Sequence, residues 1–214
     1  MPAIQLPFSQ IEYDRRLALA RSAMAAKNID LLFLEDPANM AWLTGYDGWS
    51  FYVHQGAIIT HDKPPVWWGR FMDGQGAKRT VWMDIGQIRP YPDDYVQNTK
   101  MHPMEHLARL IGEMGYGKAS IGVEMENYYF SAKAWQTLKS NLPNASFVDA
   151  TSLINWQRIV KSEEELVFIR RAAKISEKMI DGVMERVEPG LKKNELVADI
   201  FRDQIMGADG HWGD

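Results

Sequence analysis

The chain has 214 residues, 46% of them hydrophobic and 24% charged, a net charge of −4 and no cysteine. These totals fit one large globular domain, or one domain and part of a second, and they exclude disulfides and thiolate chemistry. An acidic chain without a Lys/Arg block is a poor partner for nucleic acid or an anionic membrane.

No run approaches the ~18 apolar residues of a membrane span. The opening "MPAIQLPFSQIEYDRR" lacks the basic and apolar regions of a secretory leader. A cytoplasmic chain is expected. "SQIE" sets Ser9 and Glu12 at capping-box spacing, and Ile11, Leu17, Leu19 and Met24 continue a helix to about Asn28. "IDLLFL" (29–34) is a buried strand bounded by "EDPAN". "ANMAWLTG" is a short helix stopped by Gly45. "GAIIT" and "PPVWWGR" form a hairpin around "HDKPP", and "TVWMDI" is a further strand.

Pro103 opens the next helix, "MEHLARLIGEMG", with His102 as its N-cap and Gly115 as its stop. "SIGVEM" is a strand, "FSAKAWQTLKSNL" a helix with Ser131 near its start, and "ASFVDAT" the last strand. Strands and helices in this order predict an α/β domain, a mixed sheet flanked by helices. After Arg158–Lys161 only helices remain. Ser162 and Glu165 repeat the capping-box spacing ahead of one long amphipathic helix, with Leu166, Ile169, Ala173, Ile180, Val183, Met184 and Val187 on its apolar face. Pro189-Gly190 ends it, and "NELVADIFRDQIMG" makes another. Two helices do not close a core alone. The expected organisation is a complete first domain over 1–160 and the opening of a second over 161–214, with "GADGHWGD" ending on turn chemistry as a chain cut in a loop would.

Residues that carry chemistry are sparse. His102 and His106 share a helix face, but Pro103 makes His102 a cap, and the zinc-protease pattern needs Glu directly after the first His. His54 and His61 flank an apolar strand without an evident carboxylate partner, the pattern of hydrogen-bonded packing residues. Glu124 and Glu126 lie on one face at the end of a strand; paired carboxylates can do acid/base or metal work, but without a third ligand they fit a solvated sheet edge or a helix-capping contact better. "DGQGAK" has turn composition and lacks the phosphate-loop pattern. No nucleophile–base arrangement can be drawn, so no catalytic or metal-binding residue is assigned to this chain. The concentrated feature is "NMAWLTGYDGWSFYVHQ", where Trp42, Tyr46, Trp49, Phe51 and Tyr52 surround two turn signals. Two roles fit those rings. They fill a helix-to-strand corner, or they stand free for a flat or cationic ligand, worth about 0.5–2 kcal/mol per cation–π contact.

Two stretches in the right order resemble one family. "IDLLFLEDPANMAWLTGYDG" is similar to the signature of the creatinase/prolidase N-terminal domain, and "WQRIVKSEEELVFIRRAAKI" to that family's passage into its catalytic pita-bread domain. The resemblance implies a ribonuclease H-like mixed sheet, followed by the first helices of an incomplete pita-bread α+β domain. "GAKRT", "YVQ", "HPM", "IGVEMENYYFSAKAW", "FVDAT", "NWQR" and "GADGHWGD" together resemble the ectoine hydrolase branch more than the Xaa-Pro dipeptidases. Members of that branch open ectoine, a cyclic amidine carboxylate, to acetylated diaminobutyrate.

The resemblance further implies that the catalytic residues lie beyond Asp214, on the pita-bread sheet. Full-length members of the family use two divalent metal ions or none, so the cofactor stays open and none is expected in this chain. Creatinase-like enzymes are homodimers in which the N-domain of one subunit reaches the active site of the other through residues after the Thr-Gly turn. Here those residues are Trp49, Phe51, Tyr52 and His54, expected to wall the small-molecule substrate, while Trp42 stays with the core. The competing expectations are a fragment of an Xaa-Pro dipeptidase or aminopeptidase, and a stand-alone, non-catalytic binding or dimerisation module. An enzyme piece has helices after Ser162 that lack a partner, and protease should trim the chain near Lys161; complete protection there favours the stand-alone module.

Overall fold

The computed structural model describes residues 6–213, so the first residues of the stretch read for a leader lie outside it. The chain divides between Ile159 and Val160 into two compact units. The first contains α1 (Gln10–Ala26), β1 (Leu31–Leu34), α2 (Pro37–Thr44), β2 (Gly56–Thr60), β3 (Val66–Arg70), α3 (Gly74–Thr80), β4 (Ile88–Tyr91), α4 (Pro103–Glu113), β5 (Ser120–Val123), α5 (Ala132–Asn141), β6 (Ser146–Asp149) and α6 (Leu153–Gln157). Its sheet runs β4-β3-β2-β1-β5-β6. The β1–β2 and β2–β3 pairs are antiparallel, and β3–β4, β1–β5 and β5–β6 are parallel. This is the mixed sheet flanked by helices that the alternation predicts.

β1 is apolar throughout because both its faces are covered. Leu32 and Leu34 join a core with Met24 of α1, Met40 and Leu43 of α2, and Ile154 of α6. Leu31 and Phe33 face the opposite core, with Leu107 and Ile111 of α4 and Leu138 of α5. Each such side chain contributes roughly 1.5–3 kcal/mol by leaving water. Helix starts are fixed by side chains that accept orphan amides: Ser9 from Glu12, Asp36 from Asn39, His102 from Met104, and Ser131 from Ala134. α1 and α2 are joined through the buried Arg16, whose guanidinium donates to Glu12 Oε1 at 2.7 Å and to the Trp42 carbonyl at 3.1 Å.

Two predicted elements are replaced. "TVWMDI" is not a strand: Val81 and Met83 are buried, but the Trp82 amide donates to the Thr44 carbonyl and its indole N–H to the Leu43 carbonyl. The segment therefore closes the end of α2 instead of extending the sheet. The strand that pairs with β3 is β4, "IRPY", at the sheet's edge, where Pro90 is tolerated. The turn read at "DGQG" is the start of α3, and α6 has no counterpart in the sequence reading.

A buried carboxylate fastens the end of the sheet from which α2 departs. Glu124 follows β5 and is 5% exposed. Its Oε2 accepts from the backbone amides of Glu35 and Asp36, each at 3.0 Å, and from Asn127 Nδ2 at 3.0 Å. Its Oε1 accepts from Asn39 Nδ2 at 2.6 Å. Asn39 in turn donates to Asn155 Oδ1 and accepts from Arg158 at 2.7 Å. The solvated-edge alternative is thus overturned for Glu124, which holds the strand-to-helix connection ahead of α2 while Asp36 caps the helix itself, and Glu126 is exposed.

The second unit holds α7 (Glu163–Arg186) and α8 (Lys193–Met206). The capping box between Ser162 and Glu165 is present in both directions. Arg186 donates to Asp203 Oδ2 at 2.7 Å, tying α7 to α8. Ile180 and Met184 of α7 and Phe201 and Ile205 of α8 are exposed. No helix among the described residues is long and apolar enough to cross a membrane.

Replacing Glu124 by Ala leaves four donors without this acceptor, two of them in buried and two in part-buried hydrogen bonds. It should cost about 3–5 kcal/mol of stability in urea unfolding, whereas Glu126→Ala should leave the midpoint almost unchanged.

Candidate functional site

The aromatic stretch occupies the loop from Gly45 to Gln55, and both ends of that loop are pinned. Gly45 has φ +76° and sits where a Cβ would lie 2.9 Å from the Tyr13 hydroxyl, so both backbone and space require glycine. The Thr44 hydroxyl donates to the Met40 carbonyl at 2.7 Å and accepts from the Tyr46 amide at 3.2 Å. Tyr46 is buried against Trp67, with ring centroids 5.1 Å apart. At the far end Val53 is buried, and Gln55 donates to Asp73 Oδ2 at 2.9 Å.

Between these anchors the rings turn outward. Trp49 is 59% exposed, Phe51 81% and Tyr52 61%. Trp49 meets Phe51 edge-on at 6.4 Å and Tyr129 at 6.3 Å. Tyr129 belongs to the loop between β5 and α5, and its neighbour Tyr128 is fully exposed. The sequence reading passed over both tyrosines as sites; their signal was the "NYYF" run beside Glu124. The five rings of the stretch therefore divide, with Trp42 and Tyr46 in the core and Trp49, Phe51 and Tyr52 on the surface. Large apolar side chains standing together in water mark a contact surface more often than an isolated one does.

His54 has a carboxylate partner that the sequence reading did not identify. Its Nδ1 lies 2.9 Å from Glu35 Oε1, and its backbone carbonyl accepts from the Tyr91 hydroxyl at 2.8 Å. Glu35 directly follows β1 and is fully buried, and its Oε2 has no hydrogen-bond partner among the described residues. Burial pushes the Glu35 carboxyl up, against the pull of His54 and with help from Glu124. Burial also works against a charge on His54, but the adjoining Glu35 outweighs it and the imidazole is raised. Both shifts have the same meaning for the pair, which holds its proton to higher pH than solvated groups would.

The ring of His54 lies 5.1 Å from that of His102, the cap of α4. Burial, then the charge of His54, then Lys133 lower His102 to about 4. His106 is engaged elsewhere, accepting the Trp68 indole N–H at Nδ1, and His61 contacts the Ile29 carbonyl through Nε2. The zinc-type pairing of His102 with His106 is therefore not formed. Among the described residues no group of three or more His, Asp or Glu could hold a metal ion.

Comparison with known proteins gives this geometry a context. A sequence model of the Creatinase/Prolidase N-terminal domain matches residues 16–160. The chain is 51% identical over 208 residues to the ectoine hydrolase of Halomonas elongata, covering 97% of this chain and 52% of that protein. It is 37% identical to a hydrolase/peptidase of Sinorhizobium fredii, covering 97% of this chain and 53% of that one. The chain thus spans about half the length of the curated relatives it matches. Among solved structures, the Xaa-Pro dipeptidase from Bacillus anthracis superposes with a TM-score of 0.70 over 89% of this chain and 48% of its own, at 15% identity, a likeness of fold alone. With its mixed sheet and with two thirds of its length matched, the chain belongs to the creatinase/prolidase N-terminal domain family.

Proposed function

We propose that this chain is the N-terminal part of a hydrolase that opens the ring of ectoine, and that its aromatic loop walls the substrate. The observation that carries this reading is the cluster of exposed rings beside a paired histidine, on a loop pinned at both ends. The 51% identity to a protein named ectoine hydrolase supports the choice of substrate. Ectoine's delocalised amidinium is a flat cation. Aromatic faces can hold it by cation–π attraction, about 0.5–2 kcal/mol per contact, without a buried counter-charge.

Ring opening adds water to the amidine carbon and breaks one C–N bond. An oxygen nucleophile must be activated, and the leaving nitrogen must receive a proton. This chain supplies neither group in our reading; it binds and orients, and the chemistry belongs to the part of the enzyme beyond Asp214. The metal ions of prolidase-type enzymes find no ligand set among the described residues, so no step is assigned to them here. The loop would serve the active site of a second subunit, which makes the working form a homodimer.

Full-length enzyme given ectoine should release acetylated diaminobutyrate, read by mass spectrometry. Cleavage of Xaa-Pro dipeptides with ectoine left intact would replace this reading by the dipeptidase one.

In the same enzyme Trp49→Ala and Tyr52→Ala should each raise KM about three- to thirtyfold. Their unfolding midpoints should stay unchanged, because both rings are more than half exposed. Trp42→Ala should instead cost about 3–5 kcal/mol of stability, as expected for a ring 7% exposed.

A further inference from the structure

Beside the aromatic loop lies a cavity of about 180 Å³, lined by Tyr52, His54, Tyr95, Asn98, Met101 and His102 among others. That is small beside the ~300–1,000 Å³ of a pocket for a drug-sized ligand, and it fits a single small group with its water. We propose that this cavity binds a carboxylate, with the Nε2 atoms of His54 and His102 as its two donors and Glu35 as the residue that positions His54.

One nitrogen of each ring is already committed, and that fixes what the other can do. His102 caps α4 by accepting the Met104 amide at Nδ1, 3.2 Å away. An accepting Nδ1 carries no proton, so the proton of the neutral ring sits on Nε2 and makes it a donor. His54 faces the opposite constraint. Its Nδ1 lies 2.9 Å from Glu35 Oε1, and the second oxygen of that carboxylate has no partner among the described residues. Whichever partner holds the proton shared between them, the protonated pair leaves a hydrogen on Nε2 of His54, which makes that atom a donor. Two imidazoles with centroids 5.1 Å apart line one cavity, and the Nε2 hydrogens are the ring donors left for a ligand there.

The other polar groups are occupied or neutral. Asn98 Oδ1 accepts the amides of Lys100 and Met101, and its Nδ2 donates to the Asp94 carbonyl. No carboxylate appears among the lining residues, so an anion meets no like charge at the wall. A metal ion fits less well. It would need a lone pair on Nε2 of His102, moving the proton to Nδ1 and breaking the cap of α4. A carboxylate between two N–H donors accepts two hydrogen bonds, strengthened by charge when His54 holds the pair's proton.

The site stands on this chain's residues and does not require the substrate reading above. Where that reading holds, it supplies the other half of a zwitterion's recognition, taking the carboxylate while the rings take the amidinium. The charge on His54 answers to Glu35 after β1 and to His102 at the start of α4. Glu124 acts on it through Glu35, and Lys133 of α5 acts through His102. The pKa of His54 is raised in the fold, so carboxylate binding is present below that raised value and is lost as pH rises through it.

The test is NMR of the histidine ring protons in the 214-residue chain, titrated with sodium acetate against sodium chloride at equal ionic strength. His54 and His102 should shift together and saturate with acetate only, while His61, His106 and His211 stay still. His102→Asn keeps an N-capping side chain but removes Nε2; it should weaken acetate binding about tenfold with no change in thermal midpoint. Glu35→Gln should lower the His54 titration midpoint and weaken acetate binding at neutral pH by about the same factor. Shifts that never saturate, or that chloride reproduces, would overturn the site. A His54 titration unmoved by Glu35→Gln would overturn the role of Glu35. Neither readout depends on ectoine hydrolysis, so the site and the substrate assignment fail separately.

Discussion

The carboxylate of Glu124 accepts two consecutive backbone amides, those of Glu35 and Asp36, at the point where β1 ends and α2 begins. The first of those amides is buried and the second partly so, at the end of a sheet covered on both faces, and an unpaired amide there is costly. One side chain from the neighbouring parallel strand satisfies both. It also takes Asn39 from the first turn of α2 and Asn127 from the loop after β5. Through Asn39 the network reaches Asn155 in α6 and Arg158 just after it. Segments separated by up to 119 positions are thereby held at one corner. The cost is a charge placed in a dry environment, which burial pushes up in pKa although several N–H groups pull the other way.

That corner anchors both ends of the aromatic loop. α2 leaves the Glu124 network at one end and delivers Gly45 at the other, where a left-handed glycine and the Thr44 hydroxyl turn the chain. The loop then returns to the sheet at His54, which binds Glu35, one of the two residues whose amides Glu124 holds. Both ends of the loop are therefore referenced to the same buried carboxylate. Trp49, Phe51 and Tyr52 project from the span between these two anchors.

Local signals in the sequence located the elements, and tertiary partners decided the exceptions. Ser9, His102, Ser131 and Ser162 all cap the helices that their spacing predicts. The hairpin of β2 and β3 and the parallel strands β5 and β6 also lie where the apolar runs place them. "TVWMDI" has the apolar pattern of a strand, yet its Trp82 amide is taken by the carbonyl of Thr44, nearly forty residues away. "IRPY" pairs with β3 despite its charge and its proline, because an edge strand can leave one side unpaired. The candidate site was half visible. Composition exposed the rings, but the carboxylate partner of His54 lies nineteen positions upstream, in a run that resembles a plain strand-to-helix turn.

The two buried carboxylates have opposite relations to charge. Glu124 is surrounded by N–H donors that come from neutral amides, so its environment stays the same whatever binds nearby. Glu35 has one partner, a titratable ring at the mouth of a cavity, and an oxygen left without a hydrogen bond among the described residues. The first arrangement spends burial on holding backbone in place. The second shares a proton with His54, so the strand end is coupled to the surface through a single imidazole. Glu124 holds the backbone amide of Glu35, and the Glu35 side chain holds His54, so the imidazole is tied to the end of the sheet through two successive contacts. A ligand approaching the cavity would therefore meet a donor whose geometry was settled during folding, and its binding energy would not be spent on ordering the loop.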